Sequence, residues 1–574
     1  MCGICFVLRR NTTGEDGDLR MLYPLLEQAN ATRGPDAQRT RKVRADHIDL
    51  SFFSSELRLR GEAPVVQPHE GEGNILCWNG EIFDGLNISA TENDGVRLFE
   101  ALGSLTAAEE VAALFSILEG PYAFVYYQHR TRCIIYGRDP LGRRSLLIHA
   151  PSEKHPYFIL TSTSAGAHPD IQFEELPTQG FFCLSLDSLK DGHGSTDHEV
   201  NDAISVISRT VGEAAPYAAL PPVNPTLPPD NLVRMDGLES DVPPYLSEAA
   251  DGLLLHLEDS VRRRVYDIPP PPVTGAARVG VLFSGGIDCT VLALLADKYT
   301  PPGEPIDLLN VAFENPRKMG VGADQNAKTG SKPRPNKAIG PPPQRPAYMV
   351  PDRVTGLEEV EELRRLRPHR IWNFVEVNVP FEETQITRTT IEAIMYPCRT
   401  VMDLSLAQAL YFAARGVGQI REHKDAEPQP YTSRARVLLN GLGSDELLGG
   451  YGRHRTAYNA GGWTALIREL QLELDRLPTR NLGRDDRIIS AHGKEARHPF
   501  LSLDVVRFLA ALPVHAKTDP RLGQGLGDKL LLRIVAWRLG LVEASTRPKR
   551  AMQFGSHSAR MHVDSAKKGD LLLD

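Results

Sequence analysis

The sequence predicts two joined folding units: a β-rich α+β unit over residues 2–185 and an α/β unit built on a parallel sheet over residues 246–560. Three observations carry this reading. Residues 2–185 set short apolar runs (Ile75–Trp78, Ala123–Tyr127, Cys133–Tyr136) between Gly, Asn and Asp turns, the rhythm of strands joined by tight connections. From about Leu246, helical patterns alternate with continuous apolar runs, as in a parallel sheet covered by helices on both faces. Between them, residues 186–245 turn polar and proline-rich (Pro221–Pro222, Pro228–Pro229, Pro243–Pro244), which suits a linker that wraps or extends.

In the second unit a helix is expected over roughly Leu246–Tyr266, stopped by Pro269–Pro272. Val279–Phe283 reads as a buried strand, Thr290–Asp297 as a helix and Leu308–Phe313 as the next strand. Leu357, Val360 and Leu363 share one side of a helix over 357–366, and strands follow at Trp372–Val379 and Val437–Leu439. Residues 315–350, rich in Pro, Gly and Lys, interrupt the second crossover and read as a disordered surface insertion.

The 574 residues hold 65 Lys plus Arg against 73 Asp plus Glu, a net charge of −8, with 41% hydrophobic and 24% charged residues. The mild acidity argues against a general nucleic-acid binder, and the apolar content excludes a globally disordered chain. No apolar run reaches the ~18 residues needed to cross a bilayer, and the N-terminus lacks a secretory pattern. Seven scattered cysteines without zinc-finger spacing suit a reducing compartment, so a cytoplasmic location with no membrane partner is expected.

Two stretches carry chemistry. The chain begins Met1-Cys2-Gly3-Ile4-Cys5, and removal of Met1 would put a thiol and a free α-amine on Cys2. An α-amine titrates near ~7.7–8.0 and a thiol near ~8.5, so the amine can act as the base that makes the thiolate nucleophile. The second stretch is Ser284-Gly285-Gly286-Ile287-Asp288, between a buried strand and a helix. Its glycines let the backbone curl around phosphate oxygens, and the helix N-terminus supplies unpaired N–H groups. It is not a Walker A loop, since no Gly-Lys-Ser/Thr follows.

The surrounding motifs point to families. Arg33-Gly34-Pro35-Asp36, Arg58, Trp78-Asn79-Gly80-Glu81-Ile82-Phe83, Asn93-Asp94 and Tyr136 to Arg144 resemble, in order, the class II glutamine amidotransferases, an α+β N-terminal nucleophile hydrolase sandwich. The resemblance implies that Cys2 attacks the glutamine amide, with the Asn79 side chain and Gly80 N–H as oxyanion hole. It implies that Arg58 clamps the α-carboxylate and Asp94 pairs the α-ammonium, with Glu81 completing the glutamine site. The Ser-Gly-Gly-Ile-Asp loop is similar to that of the ATP pyrophosphatases, whose fold is a parallel-sheet α/β domain of the adenine nucleotide α-hydrolase type. With Asn440 to Tyr451, Arg484 to Arg487, His492 to Leu501 and Asp528 to Arg533 behind it, the chain resembles the asparagine synthetases. Asn481 to Arg487 and Pro548 to Gly555 are most similar to the asparagine synthetase domain-containing subgroup.

By that resemblance Asp288 and Asp445 bind Mg²⁺, and Phe283, Ser284, Gly285, Gly286, Phe313, Asn440 and Gly441 border ATP. Lys529 would neutralise charge growing on the α-phosphate. Glutamine, ATP and aspartate are the implied substrates, asparagine the implied product, and a homodimer is compatible with it. The pattern departs at Leu442, where asparagine synthetases usually place a glutamate that accepts a proton as ammonia attacks; a missing general base costs roughly 10²–10⁴-fold. Cys289 stands where Ser usually follows the loop Asp, and Ser502 replaces an Asp. Two rivals therefore stand beside asparagine synthesis: a degenerate synthetase that keeps only glutaminase activity or acts as a scaffold, and a ligase for another carboxylate using, for instance, Glu495 as base, a residue whose first reading is a structural salt bridge.

Overall fold

The computed structural model describes residues 2–10, 17–152, 155–168, 171–189, 197–209, 215–314, 347–423, 425–561 and 571–572. The N-terminal part contains two six-stranded antiparallel sheets. In the first, strand Gly3–Arg10 lies between Tyr157–Thr161 and Ile48–Glu56; in the second, Asn74–Gly80 pairs with Tyr122–Gln128. Alternation along strand Gly3–Arg10 explains the layering. Ile4, Phe6 and Leu8 turn inward onto Cys77, Val125 and Tyr136 of the second sheet. Cys5 and Val7 turn outward onto Leu19, Leu22 and Leu26 of helix Gly17–Ala31. Helices Asp94–Gly103 and Ala108–Ser116 cover the far face of the second sheet through Leu98, Val111 and Phe115. The result is a helix–sheet–sheet–helix stack.

The C-terminal part is built on a seven-stranded sheet in the order 429–432, 417–420, 372–379, 306–313, 279–282, 437–439, 495–497. The five strands from 372–379 to 495–497 are parallel. Their loops therefore leave from a common C-terminal edge, where ligands bind in sheets of this kind. Strand Trp372–Val379 lies where the sequence places it, and Val279–Leu282 and Ile306–Phe313 agree to within two residues. The helix expected over 357–366 starts earlier, at Pro351, whose missing N–H costs nothing in a first turn. The antiparallel hairpin of strands 417–420 and 429–432 was not foreseen.

The linker expectation needs correction at its start. Ile204–Ser208 pairs with Gly180–Ser185 and extends the second antiparallel sheet. Beyond it, Tyr217, Val223, Met235 and Leu238 are buried against the C-terminal core, so this segment wraps rather than dangles. Residues 315–346 of the expected insertion lie outside the described residues; Val350 is buried just before helix Pro351–Leu366. No described helix is long and apolar enough to cross a membrane.

Buried ion pairs join the two parts. Glu119 meets Arg143 at 3.2 Å and Arg264, from helix Pro244–Val265, at 2.9 Å. Burial alone would raise this carboxyl, but the two guanidiniums overcome it and hold Glu119 at about 2. A carboxyl depressed on folding contributes stability above its unfolded pKa and loses it as pH falls toward the folded value. Glu119→Gln is therefore expected to destabilise the protein by about 3–5 kcal/mol at pH 7. The gap between wild type and variant should shrink as pH falls from about 4.5 to about 2, read by chemical denaturation.

Candidate active sites

The first cluster forms at the start of strand Gly3–Arg10. Cys2 is buried, and its amide N–H donates to Asn79 Oδ1 at 3.0 Å. Gly3 is required beside it: a Cβ there would sit 2.3 Å from the Asn30 carbonyl oxygen. Gln67 Nε2 donates to Cys2 Sγ at 3.4 Å while its Oε1 accepts the Trp78 amide at 2.8 Å. Arg33 Nε reaches the Cys2 carbonyl at 3.2 Å. Burial pushes the Cys2 thiol up to about 11, against the pull of the positive N-terminus, so the group is neutral at pH 7 and needs a base. Asn79 is fully buried in strand Asn74–Gly80, and its Nδ2 has no hydrogen-bond partner, an unspent donor on the side chain that holds the Cys2 nitrogen. Gly80 follows, where a Cβ would sit 2.4 Å from the Trp78 ring.

Asp94, at the start of helix Asp94–Gly103, accepts the Ile82 amide at 3.0 Å and its own neighbour Gly95 at 2.9 Å. Glu81 is buried and pairs with Arg497 at 3.1 Å; burial raises it to about 7 despite that arginine. Arg58 donates from Nη2 to the Val65 carbonyl at 3.2 Å, and its buried Nε has no partner. Glu56 joins these groups: it feels both Arg58 and Asp94, and it raises Cys2. Gln67 carries no sequence signal for this cluster, and Glu56 and Arg497 lie within motifs that give them no role; the fold brings all three to it.

The second cluster sits at the C-terminal edge of the parallel sheet. Loop Ser284–Asp288 leaves strand Val279–Leu282 and enters helix Ile287–Asp297. Gly285 has φ +78°, and a Cβ there would lie 2.4 Å from the Gly356 amide. Lys529 Nζ reaches Asp288 at 2.6 Å, Asp445 at 2.7 Å and Ser444 Oγ at 3.0 Å. Lys549 pairs with the other oxygen of Asp445. Burial would raise Asp445, but these two lysines hold it well below the usual carboxylate range. Gly450 permits the closure, since a Cβ there would lie 2.0 Å from Asp445 Oδ1. Gly441 likewise lets its loop come close to Asp288, 2.8 Å from a built Cβ. A cleft of about 140 Å³ opens here, lined by Ser284, Gly286, Asp288, Lys529, Lys549 and Arg550.

Other predicted positions fall outside that cleft. The Phe283 and Phe313 side chains are buried in the core against Phe374 and Phe412, so only their backbone can border a ligand. Asn440 turns its Oδ1 to the Leu442 amide at 3.0 Å. Leu442 packs against the core. Cys289 donates to the Gly286 carbonyl at 3.1 Å, and burial raises its thiol to about 11. Glu495 is fully buried between Arg144 at 2.9 Å and Arg497 at 2.6 Å, and the positive N-terminus together with these two guanidiniums holds it well below the usual carboxylate range against burial. A carboxylate so neutralised is a poor proton acceptor, which favours the structural salt-bridge reading of Glu495 over its rival role as a base. Lys549, within the Pro548–Gly555 motif, has no role legible in the sequence; the fold puts it at the cleft.

A glutamine amidotransferase domain model matches residues 47–165, and an asparagine synthase model matches residues 458–568. The two parts thus define a glutamine amidotransferase domain joined to an asparagine synthase domain. Asparagine synthetase domain-containing protein 1 of Homo sapiens is 36% identical over 642 residues, covering 99% of this chain and 97% of that protein. The Bos taurus protein of that name is 38% identical over 635 residues, covering 99% and 97%. A putative glutamine-hydrolysing asparagine synthetase 1 of Methanocaldococcus jannaschii is 31% identical over 562 residues, covering 91% and 85%. The chain belongs to the asparagine synthetase domain-containing protein family.

Proposed function

We propose that the chain is a glutamine-dependent, ATP-consuming ligase that amidates aspartate to asparagine. The observation that supports it best is Asn79, fixed at one end by the Cys2 nitrogen, an amide here and the α-amine once Met1 is removed, and left with a free buried donor at the other. With Met1 removed, the Cys2 α-amine takes the thiol proton and Sγ attacks the glutamine amide carbon. Asn79 Nδ2 and the Gly80 N–H receive the oxyanion as it forms. The proton returns to the leaving nitrogen, ammonia departs, and water releases glutamate. Arg58 clamps the substrate carboxylate, while Asp94 and Glu81 receive its ammonium. In fold terms the first part is read as an N-terminal nucleophile hydrolase sandwich and the second as an ATP-pyrophosphatase domain.

In the second part the Ser284–Asp288 loop cradles the pyrophosphate of ATP and Lys529 faces the α-phosphate. Mg²⁺ is usually held by one or two carboxylates together with substrate phosphates and water. Asp288 and Asp445, in the first turns of helices Ile287–Asp297 and Ser444–Leu448, fit that demand, and among the described residues no group of three or more acidic, His or Cys side chains offers a closed cage. Bound there, the ion would neutralise phosphate charge.

Leu442 favours a second reading, in which glutamine is hydrolysed but no amide forms, because no proton acceptor stands at that position. Incubating the protein with ATP, Mg²⁺, aspartate and amide-¹⁵N glutamine separates the two by mass spectrometry. The first reading expects glutamate, AMP and ¹⁵N-asparagine together. Glutamate without AMP or labelled asparagine would replace it with the second.

A further inference from the structure

We infer that the glutamine pocket is completed across the boundary between the two parts, with Arg436 acting as a positioning residue for the Arg58 clamp through Asp36. This rests on the glutaminase reading above and goes beyond it. Asp36 Oδ2 accepts the Arg58 backbone N–H at 2.8 Å. The same carboxylate takes both arms of Arg436, Nη1 at 2.7 Å and Nη2 at 2.9 Å. Arg436 comes from the other part of the chain, directly before strand Val437–Leu439, and its carbonyl accepts the Glu495 amide at 2.7 Å. Burial would raise Asp36, but Arg436 and the Arg58 amide keep it below its ordinary value, so the strut is charged at neutral pH.

Two more ion pairs cross the boundary around the same pocket. Glu81 meets Arg497 at 3.1 Å, and Arg60 meets Asp267 at 3.7 Å. A cleft of about 270 Å³ opens beside Arg58, lined among others by Asp36, Pro269–Pro272, Arg434 and Arg436. Arg58 through Asp36, Glu81 directly and Asp94 through Arg60 therefore each reach a residue of the second part, whereas Asn79 does not. A fork-shaped contact to a carboxylate depends on angle as well as distance. Removing Arg436 leaves Asp36 free to turn and the Arg58 backbone without its fixed acceptor, which loosens the clamp. Cys2, Asn79 and Gly80 are not in that chain of contacts, so binding should suffer and chemistry should not.

The test is steady-state glutaminase kinetics on the full chain. Arg436→Met is expected to raise the glutamine KM about tenfold, the factor that ~1.4 kcal/mol of binding corresponds to, with kcat unchanged. Arg436→Lys should recover part of the loss, and alkylation of Cys2 by iodoacetamide in the absence of glutamine should keep its wild-type rate. An unchanged KM, or a kcat and alkylation rate that fall with it, would overturn the proposal. Should Arg436→Met fail to fold, Asp36→Asn keeps an acceptor for the Arg58 amide while discarding the ion pair; an unchanged KM there overturns the proposal equally. Arg58→Ala separates the two levels. If it leaves KM unchanged, the clamp reading fails; if it raises KM while Arg436→Met does not, only the link to Arg436 fails.

Discussion

Cys2→Ala is expected to lower glutamine hydrolysis on the order of 10⁶-fold, as loss of a covalent nucleophile does elsewhere. The variant is a clean one because the contacts that seat this residue run through its backbone. Asn79 accepts the Cys2 amide N–H and Arg33 donates to the Cys2 carbonyl, and alanine keeps both. What disappears is Sγ, with its contact from Gln67. Burial leaves the thiol near 11, so thiolate is scarce at pH 7 and the rate must follow the base that removes its proton. In the wild type the hydrolysis rate should climb through pH ~7.7–8.0, where an α-amine loses its own proton. The ATP-dependent steps should survive Cys2→Ala with ammonium salts as nitrogen source. Glutamate release and ammonium-dependent AMP formation, measured side by side, check both statements.

What could be read in the sequence was local. Loop Ser284–Asp288 announces itself because its glycines, its acid and the flanking strand and helix are contiguous. Cys2 and Asn79 could be named from separate motifs, although 77 positions part them, because each motif is itself short. Partners drawn from far along the chain were hidden. Arg436 reaches Asp36 across 400 positions and Lys549 reaches Asp445 across 104, and neither position carries a pattern that names its partner. Strand Ile204–Ser208 was obscured because its β-branched residues lie in a polar, proline-rich setting that suggested a linker. Phe283 and Phe313 were placed correctly along the chain, just after and at the end of their strands, yet both faces of this helix-covered sheet are core, and both rings are buried in it.

Lys529→Met is expected to suppress ATP–pyrophosphate exchange by roughly 10²–10³-fold, the cost of losing one well-placed charge from a developing transition state. The backbone invests in this side chain: Lys529 has φ +53°, the left-handed region that a side chain rarely takes, at the N-terminus of helix Leu530–Arg538. That conformation directs the ammonium onto Asp288, Asp445 and Ser444 at once. Without it, Asp288 loses its ion pair, Asp445 keeps only Lys549, and burial is no longer fully opposed at Asp445. The Asp445 carboxyl, depressed in the wild type, contributes stability above its unfolded pKa that fades as pH drops toward its folded value. In the variant that contribution should be reduced, so its loss on acidification should be shallower. Glutamine hydrolysis at Cys2 should be unchanged, because the two clusters share no side chain. Retained exchange in Lys529→Met would shift the charge-balancing role to Lys549, the second cation on Asp445.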